Sequence, residues 1–412
     1  MTCRHCGAEL KTRLIDLGSA PPSHTYLTQQ TLQAPEKWYP LEVWVCETCW
    51  LAQTLDHTPQ REFSSTDYVH FNASSSTWLA HARRYVDEMS VQFGLTAESM
   101  VIEAASVDGY LLQYVKELGI PCLGVEHTEG AAKAVRDKGI EVITASFGVA
   151  LAQELAAQGK SADLIAANNV LTHVPDINDF VAGFTALLKP GGVATFEFPH
   201  LANLMRHNQF DTIHHEHFSY LSLTAVMRIL AYNGLAVFDV AELPALSGSL
   251  RVFAQRADRG RHGTSARVGE MLEAELRTGI ASTGFYRTFQ ARAEGVKDDF
   301  VAFLIDAKRA GKTVAAYGAA AKGNTLLNYA GVRADLISYV VDRNPAKQGT
   351  FLPGSRIPVR GEAHLAQTRP DFIVILPWNL QAEVMDQLAY ASQWGAQFVV
   401  AFPQLSIIPH VR

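Results

Sequence analysis

Residues 1 to 65 carry short strand-like runs, among them WYPLEVWVC, with no sustained helical period. From Ser76 the apolar positions fall at helical spacing in STWLAHARRYVDEMSVQFGL. Apolar strand runs and amphipathic helix patterns then alternate. SMVIEAAS, PCLGVE, EVITAS, SADLIAANNV and GGVATFEFP read as strands, with DGYLLQYVKELG, EGAAKAVRDKG and DINDFVAGFTALL as helices between them. This alternation predicts a parallel sheet covered by helices on both faces. A helical tract from about 267 to 310 follows, free of proline and ending at Gly311-Lys312. The alternation then restarts in KTVAAYGAAAKGNTLLNYAG, DLISYVVDRNP, DFIVILPW and QFVVAFP.

The expected fold is therefore α/β in three parts. A zinc-ribbon-like module (1–65) precedes a doubly wound, Rossmann-like central domain (66–265). A helical connector (266–310) leads to a smaller Rossmann-like domain (311–412). A length of 412 residues fits several cores rather than one.

Four of the five cysteines form two pairs, Cys3-x-x-Cys6 and Cys46-x-x-Cys49. Two such knuckles supply the four thiolates of a structural zinc site, in which no position is left for water. A redox dithiol would need one pair only. Cys122 falls in a strand pattern and is expected in the core. The net charge of −6 offers no basic footprint for nucleic acid or an anionic membrane. No apolar run reaches the ~18 residues of a membrane-spanning helix. MTCRHCGAEL lacks the apolar stretch of a signal peptide, so the expected compartment is the cytoplasm.

Chemistry concentrates in three places. In VIEAASVDG (101–109) a strand runs into a turn of small residues, Asp108-Gly109 and an expected helix start, an arrangement that lets a ligand approach the backbone. Glu126 ends the next strand, where an acid can hold ribose hydroxyls. In NNVLTHVPDINDF, His173 follows the strand at whose end doubly wound folds bind ligands. The third place is HHEHFSYLS (214–222). If this stretch is a strand, His215 and His217 share a face and could ligate a metal. Proton transfer needs only one imidazole tuned by a carboxylate such as Glu216.

CRHC…CETC, NNVLTHVPDINDFV, EFPH, NQFDTI, EHFSYLS, YGAAAKGNTLLNY, VVDRNPAKQG and ILPWN together resemble the S-adenosylmethionine-dependent sugar C-methyltransferases of deoxysugar and antibiotic biosynthesis. The resemblance spans essentially the whole chain. It implies a monomeric enzyme that removes a proton beside the carbonyl of a nucleotide-linked ketosugar and methylates the resulting enolate. His217 would be the base, with Glu216 and His173 orienting substrate or stabilising the enolate. Glu103, Ala105, Ser106, Gly109 and Asn169 would hold S-adenosylmethionine, with Glu126 on its ribose. Lys322, Asn324 and Arg343 would meet diphosphate or sugar hydroxyls, with Trp378 and Asn379 closing the cleft.

Departures from the family pattern gather at the site. His214 stands where the family has tyrosine, and His70 and Ser74 replace two more tyrosines in HFNASS. They are assigned here to the catalytic and the substrate-binding sets respectively. Leu246-Ser247-Gly248-Ser249 replaces a His-Gly-Gly-Ser turn, and Val107 replaces an asparagine. Three readings follow: methyl transfer to an altered ketosugar or another activated carbonyl compound, isomerisation or elimination through the same base, and non-catalytic binding. The retention of His173, Glu216 and His217 speaks against the third, and methyl transfer is the leading expectation.

Overall fold

The computed structural model describes residues 1–55, 76–244 and 248–408. His70, Ser74, Leu246 and Ser247 lie outside the described residues. The N-terminal module has strands β1 (Thr12–Ala20), β2 (Tyr39–Val45) and β3 (Ala52–Thr54), joined antiparallel. Their inward residues, among them Leu14, Leu41 and Val43, are fully buried. The two cysteine knuckles flank this sheet.

After helix α1 (Ser76–Phe93) come β4 (Val101–Ala104), α2 (Leu112–Glu117), β5 (Cys122–Glu126), α3 (Glu129–Asp137), β6 (Glu141–Thr144), α4 (Val149–Ala157), β7 (Ala162–Asn168), α5 (Ile177–Leu187) and β8 (Leu188–Pro199). These are the strands and helices read from the pattern, with α4 added between the two strands read as consecutive. Then come α6 (Leu201–Arg206), β9 (Ser219–Tyr220), α7 (Leu223–Tyr232), β10 (Leu235–Leu243) and β11 (Ser249–Arg256). The sheet order is β10-β11-β8-β7-β4-β5-β6. The five strands from β6 to β8 run parallel, and β11 alone is reversed, antiparallel to both β8 and β10. Connections diverge between β4 and β7, so the carboxyl ends of these two strands open a crevice for a ligand. The short β9 leaves this domain and pairs with β3, completing the N-terminal sheet in the order β1-β2-β3-β9.

The helical tract is not continuous. Helix α8 (Ala266–Thr278) stops at Gly279, whose φ of +88° takes the left-handed conformation that ends helices. A short α9 (Thr283–Tyr286) and the long α10 (Phe289–Arg309) follow. Val268 of α8 packs into the core of the central domain. Phe289, Phe300 and Leu304 of α10 share a core with β1, β2 and the C-terminal sheet.

The last unit comprises β12 (Val314–Tyr317), α11 (Ala321–Tyr329), β13 (Val340–Val341), β14 (Val359–Arg360), α12 (Ala363–Thr368), β15 (Phe372–Ile375), α13 (Gln381–Gln387), β16 (Gln397–Val400) and β17 (Ser406–Ile408). The order is β14-β13-β12-β15-β16-β17, parallel except for β17. Its switch point, between β12 and β15, faces the segment that carries the histidines. Among the described residues no helix is long and apolar enough to cross a membrane.

Candidate active site

The four knuckle sulfurs lie within 4.8 Å of one another. Cys3 and Cys49 are 3.5 Å apart, as are Cys6 and Cys46. Tetrahedral zinc with Zn–S bonds near 2.3 Å would set the sulfurs about 3.8 Å apart, so the donor set fits the ion with little adjustment. The Cys49 thiol's hydrogen bond drives the Cys3 pKa down to about 4, and the same contact drives Cys49 up. Four thiolates cannot share this space without a cation between them. Cys122, expected in the core, is only half-buried at the start of β5, and burial raises its pKa to about 11.

At the end of β4 the backbone takes positive φ at Ala105 (+61°), Val107 (+48°) and Gly109 (+72°). For a β-branched residue this conformation costs about 1–3 kcal/mol and is held by its surroundings. The Val107 N–H donates to Glu126 Oε2 at 3.0 Å. Ser106 reaches so close to β5 that a Cβ on Gly124 would lie 2.6 Å from its Oγ. The expected helix start is displaced: a further turn through Tyr110 and Leu111 precedes the six-residue α2. Gly109, at φ +72°, therefore serves the turn rather than a helix N-terminus.

Buried polar atoms without hydrogen-bond partners collect at this crevice: Glu103 Oε2, Ser106 Oγ, Asn168 Oδ1 and both amide atoms of Asn169. Such orphans are rare in folded proteins and mark a site where a polar ligand completes them. Burial, reinforced by Asp108 and Glu126, holds the Glu103 pKa well above the usual carboxylate value. Burial also pulls Glu126 upward. Contacts from His127 and the N–H groups of Thr128 and Val107 outweigh that and keep it ionised. A cationic, ribose-bearing molecule such as S-adenosylmethionine fits this set of acids and amides.

The HHEH segment is a tight turn, not a strand, with the His217 N–H bonded to the His214 carbonyl at 3.0 Å. The two-residue periodicity that would pair His215 with His217 is therefore absent. His215 turns away and contacts the Tyr39 carbonyl at 3.2 Å. Among the described residues, only the four cysteines group as potential metal ligands. The turn instead gathers His214 and His217 with ring centroids 3.8 Å apart, and His173 lies 4.6 Å from His217. Glu216 Oε2 sits 3.2 Å from His214 Nδ1 and 3.3 Å from His24 Nε2.

His217 Nδ1 lies 2.7 Å from the Thr212 carbonyl. A carbonyl only accepts, so Nδ1 carries the proton and Nε2 keeps its lone pair. Burial, then the neighbouring His214 and His173, depresses the His217 pKa well below its ordinary value. Burial and the Lys322 charge take His214 down to about 3. His173 is pushed down to about 4 by burial and by His214. The residue as a whole is nevertheless exposed to solvent.

The C-terminal domain closes over this turn. Lys322, in the first turn of α11, stands 5.1 Å over the Trp378 ring and 3.5 Å from Asn379 Oδ1. The Trp378 indole N–H donates to Asp211 Oδ2 at 2.7 Å. Asn324 is buried, and its amide donates to the Ser23 carbonyl at 2.8 Å. Arg343 is exposed at the end of β13 and donates to Gln387. Sequence reasoning assigned no role to His24 or Asp211. Asp211 had a usable signal in NQFDTI, an acid close to the apolar Phe210 and Ile213, whereas His24 belongs to no pattern.

Three family models match in tandem: a zinc binding domain at 3–63, a methyltransferase domain at 78–240 and a C-methyltransferase C-terminal domain at 244–403. The C-methyltransferase NovU of Streptomyces niveus is 34% identical over 406 residues, covering 98% of this chain and 96% of that one. Among solved structures, the 1,6-didemethyltoxoflavin-N1-methyltransferase of Burkholderia thailandensis is 18% identical at TM-score 0.36, over 50% of this chain and 96% of that one. The CcbJ methyltransferase of Streptomyces caelestis is 15% identical at TM-score 0.35, over 43% and 87%. By its full-length likeness and its order of domains, the chain belongs to the S-adenosylmethionine-dependent C-methyltransferases.

Proposed function

We propose that the methyl acceptor is the carbon beside the carbonyl of a nucleotide-linked ketosugar, and that His217 takes the proton from that carbon. The observation that carries this reading is the 2.7 Å contact of His217 Nδ1 with the Thr212 carbonyl, which leaves Nε2 as a lone-pair acceptor on a neutral ring. A general base must be unprotonated at working pH and held in one orientation, and the lowered pKa and the Thr212 contact support this role for His217.

His217 Nε2 accepts the proton, and the C–H electron pair moves into an enolate. Lys322 and the imidazoles of His214 and His173 surround the place where that negative charge develops. Charge stabilisation by groups already in position is commonly the largest single contribution to catalysis. Glu216 places a carboxylate beside the imidazoles of His24 and His214. The acids and amides at the ends of β4 and β7 hold S-adenosylmethionine, which when bound supplies a methyl group on a sulfonium. Trp378 and Asp211 keep the two domains closed so that water is excluded from the enolate.

The test is to incubate the purified protein with methyl-labelled S-adenosylmethionine and a panel of nucleotide-linked ketosugars. Label is expected in the sugar with one carbon–methyl bond formed. Absence of labelled product with every ketosugar, while a carbonyl compound lacking a nucleotide is methylated, would overturn the substrate reading.

A further inference from the structure

His173 and His217 belong to separate segments, and neither segment is a long regular element. Besides one backbone bond between the segments themselves, both are tied to the cysteine module. Arg4, between Cys3 and Cys6, donates from Nη1 to the Pro175 carbonyl at 2.9 Å, two residues beyond His173. From Nη2 it donates to the Thr54 carbonyl at 2.8 Å. Thr54 in turn donates from Oγ1 to the His217 carbonyl at 3.2 Å, and its N–H bonds the Phe218 carbonyl at 3.1 Å. The Phe218 N–H closes the circuit on the Thr172 carbonyl at 2.8 Å, and the Arg4 guanidinium stands 5.2 Å over the Phe218 ring. One guanidinium fork therefore holds the His173 segment directly and the His217 segment through Thr54.

The next residue of the same knuckle grips the first segment again. His5 Nδ1 lies 2.8 Å from Asn178 Oδ1, and the Asn178 amide donates to the His5 carbonyl at 2.8 Å. Asn178 sits in the first turn of α5, directly after the His173 loop. Toward the sulfurs, the buried Gln53 joins the two systems. Its Nε2 donates to Cys3 Sγ at 3.2 Å and its Oε1 accepts from the Arg4 N–H at 2.8 Å. Only a planar, multi-donor side chain on a fixed backbone can hold two carbonyls of different segments in this way. Pinning the knuckle backbone is what four thiolates on one ion do.

We infer that Arg4 is a positioning residue for the methyl-transfer site, and that the zinc knuckle sets the relative placement of His173 and His217 rather than merely stabilising the N-terminal module. The inference rests on the reading of those two histidines as the reacting pair. A misplacement near 1 Å can cost on the order of a hundredfold in rate.

The experiment uses the full-length, zinc-loaded protein. In Arg4→Ala, zinc per chain and S-adenosylmethionine affinity are expected to stay within about twofold of wild type, while kcat falls roughly tenfold or more with KM little changed. In ¹H–¹⁵N correlation spectra the imidazole signals of His173 and His217 move, and that of the remote His364 does not. Unchanged kcat with unmoved signals in a zinc-loaded Arg4→Ala protein would overturn the inference. If Arg4→Ala fails to fold, Arg4→Lys and Asn178→Ala decide. Arg4→Lys keeps the charge but loses the fork, and Asn178→Ala touches no thiolate. Each is expected to move the His173 signal and lower kcat several-fold, and wild-type behaviour of both would overturn the inference. The spectra need no substrate. Should His217→Asn prove fully active, the base assignment would fall, and the spectra would still report whether Arg4 holds the two rings.

Discussion

The indole N–H of Trp378 donates to Oδ2 of Asp211 at 2.7 Å, so a residue of the C-terminal domain is bonded to the loop that leads into the histidine turn. Burial raises the Asp211 pKa, and the Lys322 charge and this hydrogen bond offset part of that rise. The carboxylate therefore depends on partners supplied by another domain. Trp378→Phe keeps most of the apolar surface and removes the donor. It is expected to destabilise the protein by about 1–3 kcal/mol, the cost of leaving a buried acceptor unpaired. Denaturant unfolding measures this, and KM for the sugar should rise in the same variant.

The histidine cluster predicts a pH dependence with a definite sign. His214 and His217 have folded-state pKa values below that of the unfolded chain, His214 at about 3. Between the ordinary histidine value, about 6.5, and those lower values, the unfolded chain binds protons that the folded one does not. Stability contributed by the neutral rings is therefore present above about pH 6.5 and lost as pH falls below it. Thermal unfolding from pH 8 to pH 5 should show a falling midpoint. The fall should be shallower in His214→Asn, a comparison that separates this effect from acid loss of zinc.

Metal analysis should find one zinc per chain. Cys46→Ser removes a fully buried ligand, and the variant is expected to lose zinc and to unfold at lower denaturant concentration, because binding energy at such sites is folding energy. Retention of a full equivalent of zinc by Cys46→Ser would contradict the four-thiolate assignment.

The crevice between β4 and β7 makes a separate prediction about the cofactor. Asn169→Gly removes two amide atoms that have no partner within the protein and tolerates the residue's φ of +57°, so stability should change little. Affinity for S-adenosylmethionine, read by calorimetry, should fall roughly tenfold, the worth of one or two hydrogen bonds. Glu126→Gln removes a carboxylate that also holds the Val107 N–H, and is expected to lower both affinity and stability.

Much of this architecture was legible because period and spacing are local properties. The strand runs from Val101 to Pro199 each became a strand; β4, β5, β7 and β8 are largely buried and read as apolar stretches, while β6 is a partly exposed edge strand. The two cysteine pairs came together as their spacing implied. The HHEH turn was misread as a possible strand because hydrogen bonding with Thr212 and Thr172, not periodicity, decides its shape. Gly279 broke the helical tract by taking positive φ, which glycine permits without announcing it. His24 and Arg4 were invisible as site residues, since their importance lies in distant partners: Glu216 for one, Pro175 and Thr54 for the other.

The claim on which the chemistry turns is that Nε2 of His217 removes the proton beside the substrate carbonyl. The most direct measurement follows deuterium entry from D₂O into the ketosugar, without S-adenosylmethionine, in wild-type protein and in His217→Asn. Wild type is expected to exchange the proton at the carbon it methylates, and His217→Asn to lose exchange by roughly 10²–10⁴-fold. Exchange at the wild-type rate in His217→Asn would contradict the account.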